Sequence, residues 1–121
     1  MAESRTGAVA VVDDDPAVLD SLRFLLEVSG YSVVIYASAA EFLGSRATKP
    51  ACLILDQNMP RMTGLELAAR LRGEGTTLPV LLITSSPSPA IAERAAQLGV
   101  EKVLEKPLNE HDLLSFVDSH Q

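Results

Sequence analysis

Polar residues of three chemical types, carboxylate, hydroxyl and amine, follow four short apolar runs in this sequence, at the positions where strands would end. In chain order they are Asp13-Asp14-Asp15, Asp56, Thr84 and Lys106. Carboxylates that meet within a few ångström raise one another's pKa unless a cation neutralises them. A hard divalent cation such as Mg²⁺ binds carboxylate and carbonyl oxygens and keeps positions open for phosphate oxygens. A carboxylate in such a site can attack a phosphoryl group while a metal and a lysine neutralise its oxygens, so we expect a phosphate-handling site.

The elements that must position these residues follow from the apolar pattern. Short β-type runs alternate with stretches of helical spacing, which predicts an α/β fold with a parallel sheet and helices on both faces. The predicted strands cover residues 8–12, 32–37, 52–55, 80–83 and 103–104. The order is (βα) repeated five times in one doubly wound layer structure. Ligands bind at the carboxyl ends of such strands, where all the polar residues named above would lie.

The starts of the five helices are indicated by capping residues. The predicted N-caps are Asp15, Ser38, Thr63, Ser88 and Asn109. Two of them precede a proline, which is favoured at the first helical position, and Ser38 and Thr63 have the capping-box spacing to a glutamate. Because Asp15 stands beside Pro16, we interpret it as a cap rather than as a metal ligand. The first helix is predicted to end at Gly30 and the fourth near Gly99.

Length and composition restrict the kind of protein this can be. The 121 residues predict one domain over 1–121, with a core at about 8–120 and a flexible N-terminus at 1–7. A net charge of −6 argues against direct nucleic-acid binding, which needs Lys and Arg to neutralise phosphates. No apolar run approaches the length of a membrane span, and no apolar leader follows Met1, so we expect a soluble, cytoplasmic protein. Cys52 opens an apolar run and is interpreted as a core residue.

Four ordered motifs carry a resemblance to a known family. They are VVDDDP at 11–16, LILDQNMP at 53–60 with Gly64, ITS at 83–85 and EKP at 105–107. Together they resemble the receiver domains of two-component response regulators, the CheY-like superfamily, over nearly the whole chain. The resemblance implies a flavodoxin-like sheet with the strand order 2-1-3-4-5.

The resemblance also implies the acceptor and its metal. Asp56 looks like the phosphoacceptor, which takes a phosphoryl group from the phosphohistidine of a histidine kinase or phosphotransfer protein. Asp14 would bind Mg²⁺ directly, with Mn²⁺ as the alternative, and Asp13 would act mainly through metal-bound water. Asp56 and the backbone carbonyl of Asn58 would complete the protein's ligands. Such a domain is a signalling switch that promotes its own phosphorylation and dephosphorylation rather than a metabolic enzyme.

By the same resemblance, Lys106 would pair with the phosphoryl group, and Thr84 would move toward it. The Lys106–Pro107 peptide bond would be cis. Gly64 is expected to permit a tight turn into the third helix. Outside the site, His111 and His120 have no clustered partner in the sequence, and we interpret both as surface residues.

One position departs from the family pattern. Receivers commonly carry Tyr or Phe three residues before the lysine, and that ring turns inward when the domain is phosphorylated. Here the position is Val103, which is short and stiff at its single side-chain torsion. We therefore expect the signal to leave through residues 85–89 and the fourth helix, toward an output domain or a partner protein.

Two other functions share parts of this pattern. The first is a phosphatase of the haloacid dehalogenase type with Asp13 as nucleophile. It is disfavoured because Ala17 stands where Thr or Val is expected and because the chain length leaves no room for a cap domain. The second is a receiver-shaped scaffold that is never phosphorylated, which the intact acid, hydroxyl and lysine set argues against. The pattern leaves the cognate kinase, the pathway, the oligomeric state and the lifetime of the aspartyl phosphate open.

Overall fold

The computed structural model describes residues 7–45 and 49–121. Strands and helices alternate along these residues. The strands are β1 (Val9–Val12), β2 (Val33–Tyr36), β3 (Cys52–Asp56), β4 (Val80–Thr84) and β5 (Lys102–Glu105). The helices are α1 (Pro16–Val28), α2 (Ala39–Gly44), α3 (Gly64–Gly73), α4 (Pro89–Gln97) and α5 (Glu110–Asp118). Except for Gly7, the N-terminal residues predicted to be flexible lie outside the described part of the chain.

All five strands form one parallel sheet in the order β2-β1-β3-β4-β5. This confirms the predicted fold and strand order. The central strands β1, β3 and β4 are buried along their whole length, because helices cover both faces of the sheet. Strands covered on both faces carry near-continuous apolar runs, which is the pattern that made them recognisable in the sequence.

The sheet separates two apolar cores. One core lies between the sheet and α2, α3 and α4, and its largest fully buried side chain is Phe42. The other lies between the sheet and α1 and α5, with Phe116 as its largest. Alternate residues of each strand point to opposite cores, so that Val9 and Val11 face one side and Val12 faces the other. This alternation therefore fixes the face of the sheet to which the last residue of each strand points.

The helix starts agree with the sequence at every predicted N-cap. Asp15, Ser38, Thr63, Ser88 and Asn109 each accept a hydrogen bond from a backbone N–H of the first turn. Thr63 and Glu66 form the complete capping box. At Ser38 the box is incomplete, because the Glu41 carboxylate accepts from the N–H of Ala37 instead of the cap residue.

The strand ends differ from the prediction in a way that concerns the site. β3 and β4 each continue one residue further than expected, so Asp56 and Thr84 are the last residues of their strands. Parallel pairing with the neighbouring strands continues to both residues. Their backbones are therefore fixed by the sheet rather than by a loop. β5 also spans four residues instead of two.

Three smaller predictions can be compared with the structure. Cys52 is fully buried, which raises the pKa of its thiol to about 12 and confirms its place in the core. His111 is exposed, as expected. His120 is only partly exposed: its Nε2 lies 2.8 Å from Oε1 of Glu101 and its ring packs edge-on against Phe116. No helix among the described residues is long and apolar enough to cross a membrane.

Candidate functional site

Four predicted site residues meet at the carboxyl edge of the sheet. Asp13 directly follows β1, Asp56 ends β3, Thr84 ends β4 and Lys106 directly follows β5. Because β1, β3, β4 and β5 are consecutive neighbours in the sheet, these four residues lie side by side. Asp13, Asp56 and Thr84 are buried, and the side chain of Lys106 is about one quarter exposed at 26%.

Lys106 bridges the two buried carboxylates. Its Nζ lies 3.2 Å from Oδ1 of Asp56 and 3.4 Å from Oδ2 of Asp13. The other oxygen of Asp13 accepts a hydrogen bond of 2.9 Å from the N–H of Asp15. One ammonium group thus faces two carboxylates, which leaves the buried part of the site with more negative than positive charge.

Burial and repulsion shift the titration of all three groups. Loss of hydration raises the pKa of Asp56, and the nearby charge of Asp13 raises it further, against the opposing effect of Lys106. Loss of hydration likewise raises the pKa of Asp13, although Lys106 and the N–H of Asp15 oppose it. Burial would lower the pKa of Lys106, but the two carboxylates outweigh burial and raise it. The lysine therefore stays charged and the carboxylates gain from additional positive charge.

The arrangement of the carboxylates fits a hard cation. Asp13, Asp14 and Asp56 each offer an oxygen, and these oxygens lie within 4.8 Å of one another. Asp14 is exposed, so the cluster is open to solvent on one side. Oδ1 of Asp56 is buried, and its one polar partner among the described residues is the ammonium group of Lys106. A buried carboxylate oxygen with a single polar partner has a lone pair left to bind a metal ion or a phosphorus atom.

Thr84 has contacts that the sequence did not reveal. Its hydroxyl donates a hydrogen bond of 3.0 Å to Oδ1 of Asn58 and accepts one of 3.1 Å from the N–H of Ser86. The sequence motif indicated that the backbone carbonyl of Asn58 binds the metal, and it did not predict this side-chain contact. A pair that joins the end of β4 to the loop after β3 across 26 positions leaves no local pattern in a sequence.

Gln57 is a second residue of this loop whose contact was missed. Its Oε1 accepts a hydrogen bond of 2.8 Å from the N–H of Leu65, in the first turn of α3. The side chain thereby satisfies one of the free backbone donors at the helix start. Its position beside Asp56 was the only signal in the sequence.

The expected role of Gly64 is wrong in its mechanism. Its φ is not positive, and the residue of this loop in the left-handed region is Arg61, with φ 69°. A Cβ on Gly64 would lie 2.5 Å from the carbonyl oxygen of Asp56 and 2.8 Å from Cδ1 of Leu82. The glycine is needed because α3 packs directly against the end of β3, not because the chain turns sharply there.

Two further sequence expectations concern β5 and the loop after it. The Lys106–Pro107 peptide bond is cis, as predicted. Val103 lies partly buried opposite Leu82 in the β4–β5 register and packs at the border of the core that contains α3 and α4. α4 itself is only lightly packed, since Ala95 is its single buried residue.

A groove of about 540 Å³ adjoins the site between α1, α5 and the loop after β5. We call it the α1 groove. Its lining is mainly apolar and includes Val18, Leu22, Leu25 and Pro107, with Lys106 connecting it to the acidic cluster.

The family comparison agrees with this geometry. The sequence model of the response regulator receiver domain matches residues 9–118. The chain belongs to this family. The acidic cluster is therefore that of a receiver domain, the kind of domain that takes part in phosphotransfer signalling by two-component systems.

Full-length response regulators are among the similar proteins. The receiver domain is 33% identical over 114 residues to the transcriptional regulatory protein FixJ of Bradyrhizobium diazoefficiens, covering 93% of this chain and 56% of FixJ. It is 43% identical over 110 residues to the response regulator MprA of Mycobacterium tuberculosis, covering 88% of this chain and 47% of MprA. The chain thus spans about half the length of these curated relatives.

Solved structures show the same fold. The chemotaxis protein CheY4 of Vibrio cholerae superimposes with a TM-score of 0.86 at 27% identity, over 97% of this chain and all of that one. The N-terminal domain of FixJ superimposes with a TM-score of 0.85 at 28% identity, over 95% of this chain and 93% of that one. The receiver domain therefore has the CheY-like arrangement of five strands and five helices.

Proposed function

We propose that Asp56 of this receiver domain is the phosphoacceptor. The observation that carries the proposal is the buried Oδ1 of Asp56, whose one polar partner among the described residues is the ammonium group of Lys106 at 3.2 Å. This oxygen is available to attack phosphorus, and the lysine is positioned to neutralise a phosphoryl oxygen. The family and the comparisons favour this function over a haloacid dehalogenase phosphatase with Asp13 as the nucleophile.

Transfer of the phosphoryl group from a phosphohistidine to Asp56 needs no further reactant except a proton. The N–P bond of a partner's phosphohistidine breaks, an O–P bond to Asp56 forms, and the imidazole nitrogen keeps the electron pair and takes up a proton from solvent. Hydrolysis later returns the carboxylate when water attacks phosphorus and the O–P bond breaks. In both steps Lys106 offsets charge on the phosphoryl oxygens, while the sheet holds Asp56 at the end of β3.

Mg²⁺ is the proposed cofactor, with Mn²⁺ as the alternative. Asp13, Asp14, Asp56 and the backbone carbonyl of Asn58 would hold it. The cluster of carboxylate oxygens within 4.8 Å and the open side at Asp14 support this assignment, because Mg²⁺ prefers oxygen ligands and retains water. When bound, the ion would supply positive charge beside the transferring phosphoryl group.

The donor protein would be a histidine kinase or a histidine phosphotransfer protein. Its histidine must reach Asp56 at the carboxyl edge, and the α1 groove begins at Lys106 beside that position. Phe24 and Val28 of α1 are 70% and 69% exposed, and their spacing of three residues from Ser21 and Leu25 places them beside the groove lining. We assign this surface to a helix of the donor. The test uses the purified histidine kinase that phosphorylates wild type fastest. Phe24→Ala should receive phosphate from this kinase more slowly than wild type, yet be labelled by acetyl phosphate at the normal rate. Equal rates of transfer from the kinase would contradict the assignment.

The phosphorylated domain would control an output in another segment or another protein. The relatives FixJ and MprA are both about twice as long as the part that this chain matches, which supports an output outside the matched region. The domain would be a switch, and its own promotion of phosphorylation and dephosphorylation would set how long the switch stays on.

The decisive experiment is covalent labelling. Wild type and Asp56→Asn should be incubated with acetyl phosphate and Mg²⁺ and then examined by intact-mass spectrometry and peptide mapping. Wild type should gain one phosphoryl group on the peptide that contains Asp56, and the variant should gain none. Label kept by Asp56→Asn but lost by Asp13→Asn would instead support the phosphatase, and no label under any condition would support the unphosphorylated scaffold.

A further inference from the structure

The hydroxyl of Thr84 is fully engaged in the structure. Thr84 is completely buried, at 0% exposed. Its oxygen accepts from the N–H of Ser86, and its proton is donated to Oδ1 of Asn58. A threonine hydroxyl has only one proton to donate. Thr84 therefore cannot donate to a phosphoryl oxygen while it remains bonded to Asn58.

The two ends of this hydrogen bond are not equally dependent on it. The side chain of Thr84 is buried, so its hydroxyl needs a partner inside the protein. Asn58 is exposed, and its amide can bond to water when Thr84 leaves. The exchange of partners therefore costs Asn58 little free energy, whereas Thr84 must find another acceptor.

A phosphoryl group on Asp56 would be that acceptor. It would lie two residues from Asn58 along the chain and on the strand next to β4. Hydrogen bonds to a charged oxygen are roughly twice as strong as those between neutral groups. A charged phosphoryl oxygen would thus compete successfully with the neutral amide oxygen of Asn58.

We propose that the Asn58 side chain is a latch that holds Thr84 in its unphosphorylated position, and that phosphorylation of Asp56 releases it. This inference rests on the proposed function of Asp56. Asn58 is a positioning residue in this scheme, because its side chain acts on the phosphoryl group only through Thr84. The bond between Thr84 and the N–H of Ser86 connects the latch to the loop that leads into α4.

The latch can be tested with a double-mutant cycle. Beryllofluoride with Mg²⁺ is used as a stable mimic of the phosphoryl group, and the bound fraction at limiting concentration is measured from the backbone amide NMR signals. Removing the acceptor with Asn58→Ala should tighten apparent binding about two- to tenfold, the effect of losing one ordinary hydrogen bond that opposes it. The same substitution in a Thr84→Val background should change binding less than about twofold, because the competing proton is already absent.

An independent signal comes from the free protein. The methyl resonance of Thr84 in unliganded Asn58→Ala should move along the line that joins the free and beryllofluoride-bound positions of wild type. Asn58→Leu removes the acceptor while keeping side-chain volume, and it should shift the resonance in the same direction. This second variant keeps the test valid if Asn58→Ala folds poorly.

The outcomes separate the latch from the proposed function. If wild type binds beryllofluoride but Asn58→Ala has the same effect on binding in the wild-type and Thr84→Val backgrounds, the latch is wrong and the phosphoacceptor assignment stands. If wild type binds no beryllofluoride and takes no phosphate from acetyl phosphate, the phosphoacceptor assignment fails, and the latch fails with it.

Discussion

Gly64 lies directly against the backbone carbonyl of Asp56. A Cβ at position 64 would approach that oxygen to 2.5 Å, which is closer than real Cβ atoms come. The start of α3 is therefore packed on the last residue of β3, and the position of the helix and that of the carboxylate are linked. Any side chain at position 64 must move one of them.

Gly64→Ala should therefore damage both stability and the site. The added methyl group meets backbone rather than a flexible side chain, and overpacking of this kind costs about 1–3 kcal/mol. Urea unfolding should show this loss, and labelling by acetyl phosphate should be slower than in wild type. Gly73→Ala is the matched control, since nothing lies within 4 Å of a Cβ there, and it should be neutral or more stable by up to about 1 kcal/mol. Equal stability of the two variants would contradict the packing argument.

The raised pKa of Asp56 predicts that its charge destabilises the metal-free protein. The native pKa lies above the usual value of 3.8, so the folded state holds its proton to higher pH than the unfolded chain does. Stability contributed by this group is then lost as pH rises from about that value through the native pKa. In EDTA, Asp56→Asn should melt at a higher temperature than wild type at about pH 7, and the difference should shrink as the pH falls toward 3.8.

Magnesium should reverse this order. Ligand binding to the native state adds about 2.7 kcal/mol when the ligand is at a hundred times its dissociation constant. Addition of Mg²⁺ should raise the melting temperature of wild type more than that of Asp56→Asn.

The EDTA measurement could also contradict the pH prediction. If Asp56→Asn remained less stable than wild type in EDTA at every pH, the ion pair with Lys106 would outweigh burial.

Asp14 and Asp15 provide a test of which acid belongs to the metal site. Both are exposed neighbours, but only Asp14 contributes an oxygen to the cluster, while Asp15 caps α1. Asp14→Ala should weaken Mg²⁺ binding by about tenfold or more, since even residues that only support a ligand cost that much. Asp15→Ala should leave the affinity within about twofold but cost about 1 kcal/mol of stability through loss of the cap. Calorimetric titration and urea unfolding measure the two quantities, and the opposite pattern would exchange the roles.

The sequence was informative where local physics decides the structure. The N-caps at Asp15 and Thr63 are determined by a few adjacent residues, and the buried strands are determined by continuous apolar runs, so both could be predicted. The convergence of Asp13, Asp56 and Lys106 followed from one topological rule about parallel strands.

The missed features depend on residues that are distant in sequence. The hydrogen bond from Thr84 to Asn58 joins the end of β4 to the loop after β3, and its existence depends on side-chain directions that no periodicity encodes. The contact of His120 with Glu101 is of the same kind. Gly64 was correctly singled out, but the choice between a turn and a close approach requires the backbone angles and the position of Asp56.

Arg72 should be a main determinant of how firmly α4 is held. Its guanidinium donates to the carbonyl oxygens of Leu98 at 2.7 Å, Thr76 at 3.3 Å and Gly99 at 3.4 Å, which connects the last turn of α3 to the end of α4. Arg72→Ala should lower the free energy of unfolding by about 1–2 kcal/mol, because charged donors to carbonyls at a helix end are lost together.

Two controls sharpen this prediction. Arg72→Lys keeps the charge but lacks the planar fork, and it should restore only part of the stability. Arg94→Ala removes an exposed arginine of α4 and should change stability by no more than about 0.5 kcal/mol. If urea unfolding gave similar losses for Arg72→Ala and Arg94→Ala, the carbonyl contacts would have no special value.

The route by which phosphorylation leaves the site should run through the loop at 85–89 and α4. Val103 cannot supply a ring that turns inward, whereas the N–H of Ser86 is bonded directly to Thr84, and Ala95 is the single buried residue of α4. Amide NMR shifts on addition of beryllofluoride and Mg²⁺ should therefore extend from Thr84 through the loop into α4. In Thr84→Val, Asp56 should still bind the mimic, but the shifts in α4 should shrink because the hydroxyl link is gone. Shifts confined to the neighbours of Asp56 in wild type would show that the signal takes another path.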